Sequence, residues 1–261
     1  MQLHKKAWAV LKARVANLGY GSAEQAMELE VLADQFSRLG LDYQRAKMTT
    51  KDLVVSGALT RSDNSLHYEL FAAVAAVHSP KRILEIGTFR GEFSAFLATL
   101  FPKSNIETWD LPSATSDDMR EYVSDLASHY NDQRQNRANN LSRHTNVRQV
   151  LKDSTFLTRE SVAFDLIWVD GDHSYPVVAF DILNAVRLAA PGAWIVLDDI
   201  KLTEMRRSSL SSTEAFECIN HLTRSGMVTS SLVYKRIGSS GRRWRDESRR
   251  KHLAVLRSNP S

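Results

Sequence analysis

Arg82-Ile-Leu-Glu-Ile-Gly-Thr-Phe-Arg-Gly91 decides the reading of this chain. Ile83, Leu84 and Ile86, with Pro80 before them and Gly87 after, make a short buried strand. The glycines then mark a tight turn, and Phe93, Phe96, Leu97 and Leu100 recur at helical spacing beyond it. Strand, glycine turn and helix in that order open a unit of parallel sheet.

The same alternation continues on both sides. Upstream, Leu66, Leu70, Val74 and Val77 form a helical stripe that Pro80 ends. Downstream, strands are expected at 105–110, 147–153, 165–170 and 193–198. A long polar helix is expected before Thr145, and a helix carries Val178, Ile182, Ala185, Val186 and Ala189. Ser211 and Glu214 have capping-box spacing ahead of another helix, which Gly226 closes. The end reads as a strand (230–237), a basic loop (238–251) and a strand (252–257) that can pair antiparallel. Apolar strands separated by helices imply a mostly parallel sheet covered on both faces, an α/β doubly wound fold. In such folds ligands gather at the carboxyl edge of the strands. Residues 1–65 read instead as helices and loops, with Leu29, Leu32, Ala33 and Phe36 in register and a stop at Gly40. The expected division is a helical segment, 1–65, and an α/β domain, 66–261.

Bulk properties narrow the class. The 261 residues are 43% hydrophobic and 25% charged, enough to bury a core. Cys218 is the single cysteine, which excludes an intrachain disulfide and a cysteine zinc site. No apolar run approaches the ~20 residues of a membrane span, and Met1 to Tyr20 lacks the continuous apolar core of a signal peptide. The cytoplasm is the expected compartment. The net charge of +4 sits mostly near the C-terminus.

The strand ends carry the chemistry. Glu85 lies where a pyrophosphate binder would avoid a carboxylate, because the charge repels phosphate but accepts hydrogen bonds from an ammonium group. Gly87, Thr88, Phe89 and Gly91 depart from G-x-G-x-x-G. A cationic amino acid derivative therefore fits better than a dinucleotide. Asp110, about twenty residues on, suits a ribose, and Asp153 and Ser154 suit an adenine edge. Val169-Asp-Gly-Asp-His173 and Leu197-Asp-Asp199 end the fourth and fifth strands. If those strands are neighbours, Asp170, Asp198 and Asp199 crowd one volume and call for a cation, Mg²⁺ first. Asp172 and His173 stand at the mouth of that site as alternative proton acceptors.

Ile83-Leu-Glu-Ile-Gly-Thr-Phe-Arg-Gly91, Asp110, Val169-Asp-Gly-Asp-His-Ser-Tyr175, Pro191-Gly192 and Val196-Leu-Asp-Asp199 resemble class I S-adenosylmethionine methyltransferases, a Rossmann-like fold. Within them the sequence is most similar to the metal-dependent macrocin-type sugar O-methyltransferases, over about residues 66–236. The resemblance implies S-adenosylmethionine held by Glu85, Gly87, Thr88, Phe89, Gly91, Asp110, Asp153, Ser154 and Asp170. It implies Mg²⁺ on Asp170, Asp198 and Asp199, with Asp172 as base and His173 as its rival. It also implies an N-terminal segment that covers substrate or joins a homo-oligomer, and a sugar, glycan or natural-product hydroxyl as acceptor.

Arg242, Arg243, Arg245, Arg249, Arg250 and Lys251, with Trp244 among them, follow a strand that should run parallel to the others. The loop should therefore emerge at the ligand edge and favour an anionic acceptor. Two other readings stand beside this one. One is an RNA methyltransferase, against which the acidic strand ends and the absence of an Asn/Asp-Pro-Pro-Tyr-type motif both argue. The other is a cofactor-binding partner subunit without catalysis.

Overall fold

Seven strands form one sheet in the order β3-β2-β1-β4-β5-β7-β6 in the computed structural model. Residues 21–61, 64–112, 127–203, 213–238 and 250–258 are described, with the backbone alone at 127–133. The strands are β1 Arg82–Ile86, β2 Asn105–Asp110, β3 Val147–Leu151, β4 Phe164–Val169, β5 Ala189–Ile200, β6 Val228–Tyr234 and β7 His252–Ser258. Neighbours from β3 through β5 pair parallel, and β7 runs antiparallel between β5 and β6. This is a doubly wound, Rossmann-like sheet, mostly parallel, with an antiparallel last strand. The chain order reverses between β1 and β4, which opens a crevice at their carboxyl ends.

The helices are α1 Ser22–Arg38, α2 Tyr43–Val55, α3 His67–Val77, α4 Glu92–Leu100, α5 Ala127–Leu141, α6 Val177–Leu188 and α7 Thr213–Arg224. Two apolar layers cover the sheet. On one face Phe71 of α3, Phe93 and Phe96 of α4, and Trp168 of β4 cluster, with Phe71 edge to face on Phe93 and on Trp168; Phe71 and Trp168 centroids are 5.3 Å apart. Leu32, Phe36, Tyr43 and Ala46 of the N-terminal helices join that same layer. On the other face Val178, Ile182 and Ala185 of α6 meet Ile219 and Leu222 of α7 across Ile167 and Ile195. The continuous apolar runs noted in the sequence are the double-sided strands of this sandwich.

Local chemistry fixes the strand starts. The Asp165 carboxylate accepts the backbone N–H groups of Lys81 and Arg82 at 2.8 and 2.9 Å, pinning the entrance of β1 to that of β4. At the other edge Gly87 (φ +98°) has no room for a side chain, because a Cβ would lie 2.2 Å from the Asp170 carbonyl oxygen. The two loops that define the crevice thus touch backbone to backbone. Ser211 of the expected capping box lies outside the described residues. No helix among the described residues is long and apolar enough to cross a membrane.

Candidate active site

Glu85 ends β1 wholly buried. The Ser94 hydroxyl of α4 donates to its Oε2. Ser94 also meets Thr108 at 3.4 Å, and Thr88 and Thr108 hydroxyls lie 2.6 Å apart. Oε1 has no hydrogen-bond partner among the described residues. Burial pushes the carboxyl up to about 7, against the pull of Ser94 and Thr108. An acid with one orphaned oxygen fits a ligand that brings its own N–H donors. Thr88, expected to face the cofactor, is 3% exposed and turned into this network.

Asp110 ends β2 with its carboxylate already well served. Its Oδ2 accepts from the Phe89 N–H at 2.9 Å and Arg137 of α5 at 2.7 Å. Its Oδ1 accepts from the Leu111 N–H at 2.8 Å. Phe89 is 57% exposed with φ +47°, unusual for an aromatic residue, and Arg137 Nε donates to its carbonyl at 2.5 Å. Gly91 (φ +73°) lets the turn pass Leu141, 3.2 Å from where a Cβ would stand.

Asp153, after β3, caps the 3₁₀ turn Ser154–Arg159 by accepting the Thr155 N–H at 2.8 Å. Ser154 bonds Asp181 of α6, a buried acid whose carboxyl burial raises to about 7. Asp181 stands 3.2 Å from where a Cβ of Gly171 would be, directly beneath the loop after β4.

That loop carries the next cluster. His173 Nε2 lies 3.5 Å from Asp170 Oδ1, with the His173 side chain 14% exposed. Asp172 is exposed, and its Oδ1 accepts the Ser174 N–H at 2.8 Å. One ligand-type atom each of Asp170, His173 and Asp198 lies within 4.8 Å of the others. Burial and the Asp198 charge hold the Asp170 carboxyl well above the usual range. For Asp198, burial acts upward, but the Lys235 ammonium outweighs it and drives the carboxyl down. Asp198 Oδ1 has no hydrogen-bond partner among the described residues.

β4 and β5 are neighbours, which meets the condition stated from the sequence, and the acids do converge. The cation beside them is protein. Lys235, the residue after β6, places Nζ 2.5 Å from Asp198 Oδ2 and 2.5 Å from Asp199 Oδ1. Lys251, the residue before β7, reaches Asp199 Oδ2 at 2.6 Å. Both Asp199 oxygens and one of Asp198 are therefore occupied by ammonium groups. The set Asp170, Asp198 and Asp199 does not fit Mg²⁺, which needs those oxygens for itself.

β6 runs parallel to β5, since both pair antiparallel with β7, so the loop joining β6 to β7 emerges at this edge. Of its basic residues, Arg242, Arg243, Arg245 and Arg249 lie outside the described residues. Arg250 and Lys251 point inward, contrary to expectation. Arg250 is 2% exposed, stacks on Tyr234 at 3.8 Å and pairs with Glu28 of α1 at 2.6 Å. Glu28 also accepts the Gly238 N–H at 2.5 Å, so one acid of the N-terminal helix ties both stems of the loop.

Lys235, Arg137 and Asp181 escaped the sequence reading. Lys235 had a signal, because it is a charged residue within the stretch 230–237 that reads as a strand. Asp181 also had one, sitting between Val178 and Ile182 on an otherwise apolar helix face.

Residues 84–200 match a family described as a methyltransferase domain. The match runs from β1 to the end of β5. Solved structures share its fold. The O-methyltransferase TomG from Streptomyces achromogenes, in complex with S-adenosylmethionine, is 17% identical, with 88% of this chain and 96% of that one aligned at a TM-score of 0.56. An O-methyltransferase from Bacillus cereus in complex with S-adenosylhomocysteine is 15% identical over 83% and 91%, at 0.52. The N-methyltransferase NodS from Bradyrhizobium japonicum is 19% identical over 74% and 94%, at 0.50. No protein of curated function matches the sequence.

Proposed function

We propose that this chain transfers the methyl group of S-adenosylmethionine to a hydroxyl oxygen of a small acceptor, a sugar, glycan or related natural product. The observation that carries the proposal is the convergence of Glu85, Asp110, Asp170, His173 and Asp198 at consecutive carboxyl ends of β1, β2, β4 and β5. Bound there, S-adenosylmethionine supplies a methyl group already activated by its sulfonium. Glu85 would accept hydrogen bonds from the amino end through its orphaned oxygen, and Asp110 would face the ribose. Asp153 and Ser154 would border the adenine, with Gly87, Thr88, Phe89 and Gly91 forming the turn beneath.

The chain's remaining task is to orient an acceptor hydroxyl and take its proton. His173 is the better base. Its ring is mostly enclosed and leans on Asp170 at 3.5 Å, a base with its orienting acid. Asp172 spends one oxygen capping Ser174 in solvent. Oxygen as the acceptor atom follows the acid-lined mouth and the TomG and Bacillus cereus likenesses, the former being a protein of tomaymycin synthesis. The likeness to NodS makes nitrogen the alternative.

Calorimetry of S-adenosylmethionine with the purified chain, followed by methyl transfer to panels of sugar, catechol and amine acceptors, tests this reading. Cofactor binding with transfer to a hydroxyl is expected. Transfer to amines alone would replace oxygen with nitrogen, and no cofactor binding would remove the proposal.

A further inference from the structure

Two consecutive residues of a strand point to opposite faces. Asp198 and Asp199 nevertheless reach the same lysine nitrogen. The backbone explains how. Asp199 adopts φ +55°, a left-handed conformation costly for a residue with a Cβ, and the β5–β7 register shifts between Leu197 and Ile200. This bend turns both carboxylates onto Lys235, whose side chain is 7% exposed. β7 then delivers Lys251 to the remaining oxygen of Asp199. Two ammonium groups thus take three of the four carboxylate oxygens of Asp198 and Asp199. A dication added here would face two ammonium groups at close range in a poorly screened place.

We propose that Lys235 is the resident cation of this site: its ammonium holds Asp198 and Asp199 where a divalent ion would otherwise bind, and the chain transfers its methyl group without metal. The second half rests on the methyl-transfer reading; the first does not. Lys235 is a positioning residue. Two of its three N–H donors go to the aspartates, which fixes Asp198 against Asp170 and so sets the wall that His173 faces.

Mn²⁺ titrated into the full chain, with the free ion followed by its paramagnetic resonance signal, tests the cation assignment without any activity. The wild type is expected to leave Mn²⁺ free at millimolar concentration. Lys235→Ala uncovers adjacent carboxylates and should bind it at least about tenfold more tightly. Lys235→Arg keeps the charge and should behave as the wild type, a distinction that a merely structural role would not produce. Tight binding of Mn²⁺ by the wild type, lost in Asp198→Ala, would overturn the assignment even if Lys235→Ala fails to fold. For the second half, the transfer rate of the wild type should survive EDTA; loss of rate with rescue by Mg²⁺ would overturn it. Absence of transfer to every acceptor would count against the proposed function, while the Mn²⁺ titration would still decide the role of Lys235.

Discussion

Arg137 holds Asp110 at 2.7 Å and, through Nε, the Phe89 carbonyl at 2.5 Å, so one guanidinium clamps the end of β2 to the turn that follows β1. Phe89 is kept at φ +47° between this bond and its own N–H to Asp110. Holding a non-glycine residue there costs of order 1 kcal/mol or more, which must come from such over-determination.

Removing the clamp should loosen the turn. Arg137→Ala is expected to weaken S-adenosylmethionine binding about fivefold, the equivalent of about 1 kcal/mol. Thermal unfolding should shift by only a few degrees, the scale of a loss of about 1 kcal/mol. Calorimetric titration reads this directly. An unchanged dissociation constant would mean that the turn keeps its form without Arg137.

Gly87→Ala should be far more damaging. The new Cβ would enter the Asp170 carbonyl at 2.2 Å, and the φ of +98° disfavours any side chain. Both neighbours are backbone, so neither can rotate away. A loss of about 3 kcal/mol or more is expected, read from urea midpoints. Gly171→Ala serves as the control: its Cβ meets the Asp181 carboxylate at 3.2 Å, a side chain able to shift. If the two variants were equally stable, the close approach of the β1 and β4 loops would be wrong.

Most of the fold was legible for one reason. β1, β4 and the second half of β5 are buried on both faces, so their apolar runs stand out whatever the helices do. Strand ends were legible by the same logic, which is how Glu85, Asp110, Asp170 and Asp198 were found. The partners were not. Lys235 lies 37 residues from Asp198, and no local pattern links a lysine after β6 to an acid on β5 once an antiparallel strand intervenes. The acids of this cluster are legible at strand ends, and their ammonium partners are not. Thr88 and Asp153 have local roles that the sequence does not display: a hydroxyl or carboxylate at a strand end can turn inward or cap the next turn as readily as face a ligand.

Glu85 makes stability depend on pH. Its carboxyl is raised from 4.5 to about 7, chiefly by burial. The neutral form is the one the fold tolerates, so its contribution is complete below 4.5 and is lost as pH rises to about 7. Glu85→Gln should flatten the fall in urea midpoint across that window. Binding a ligand ammonium favours the ionised form, so below pH 7 cofactor binding should release a proton. Calorimetry in buffers of different ionisation enthalpy detects it; a binding enthalpy independent of buffer would show that Glu85 does not meet the amino group.

His173 and Asp172 are separable by kinetics. Burial disfavours a charged His173, but its bond to Asp170 and the negative charges of Asp170, Asp198 and Asp199 prevail, and its pKa is raised. As a base it must be neutral, so kcat should rise with pH and level off above the ordinary histidine range. His173→Ala should lower kcat by about 10²-fold or more, the usual scale of a lost general base, with little change in cofactor affinity. Asp172→Asn keeps an oxygen to cap the Ser174 N–H, so the loop retains its form, and kcat should stay within about threefold of the wild type. Asp170→Asn removes the orienting charge while leaving the ring in place. It should therefore lower the pKa seen in the rate profile as well as the plateau. A profile unmoved by His173→Ala but abolished in Asp172→Asn would transfer the role of base to Asp172.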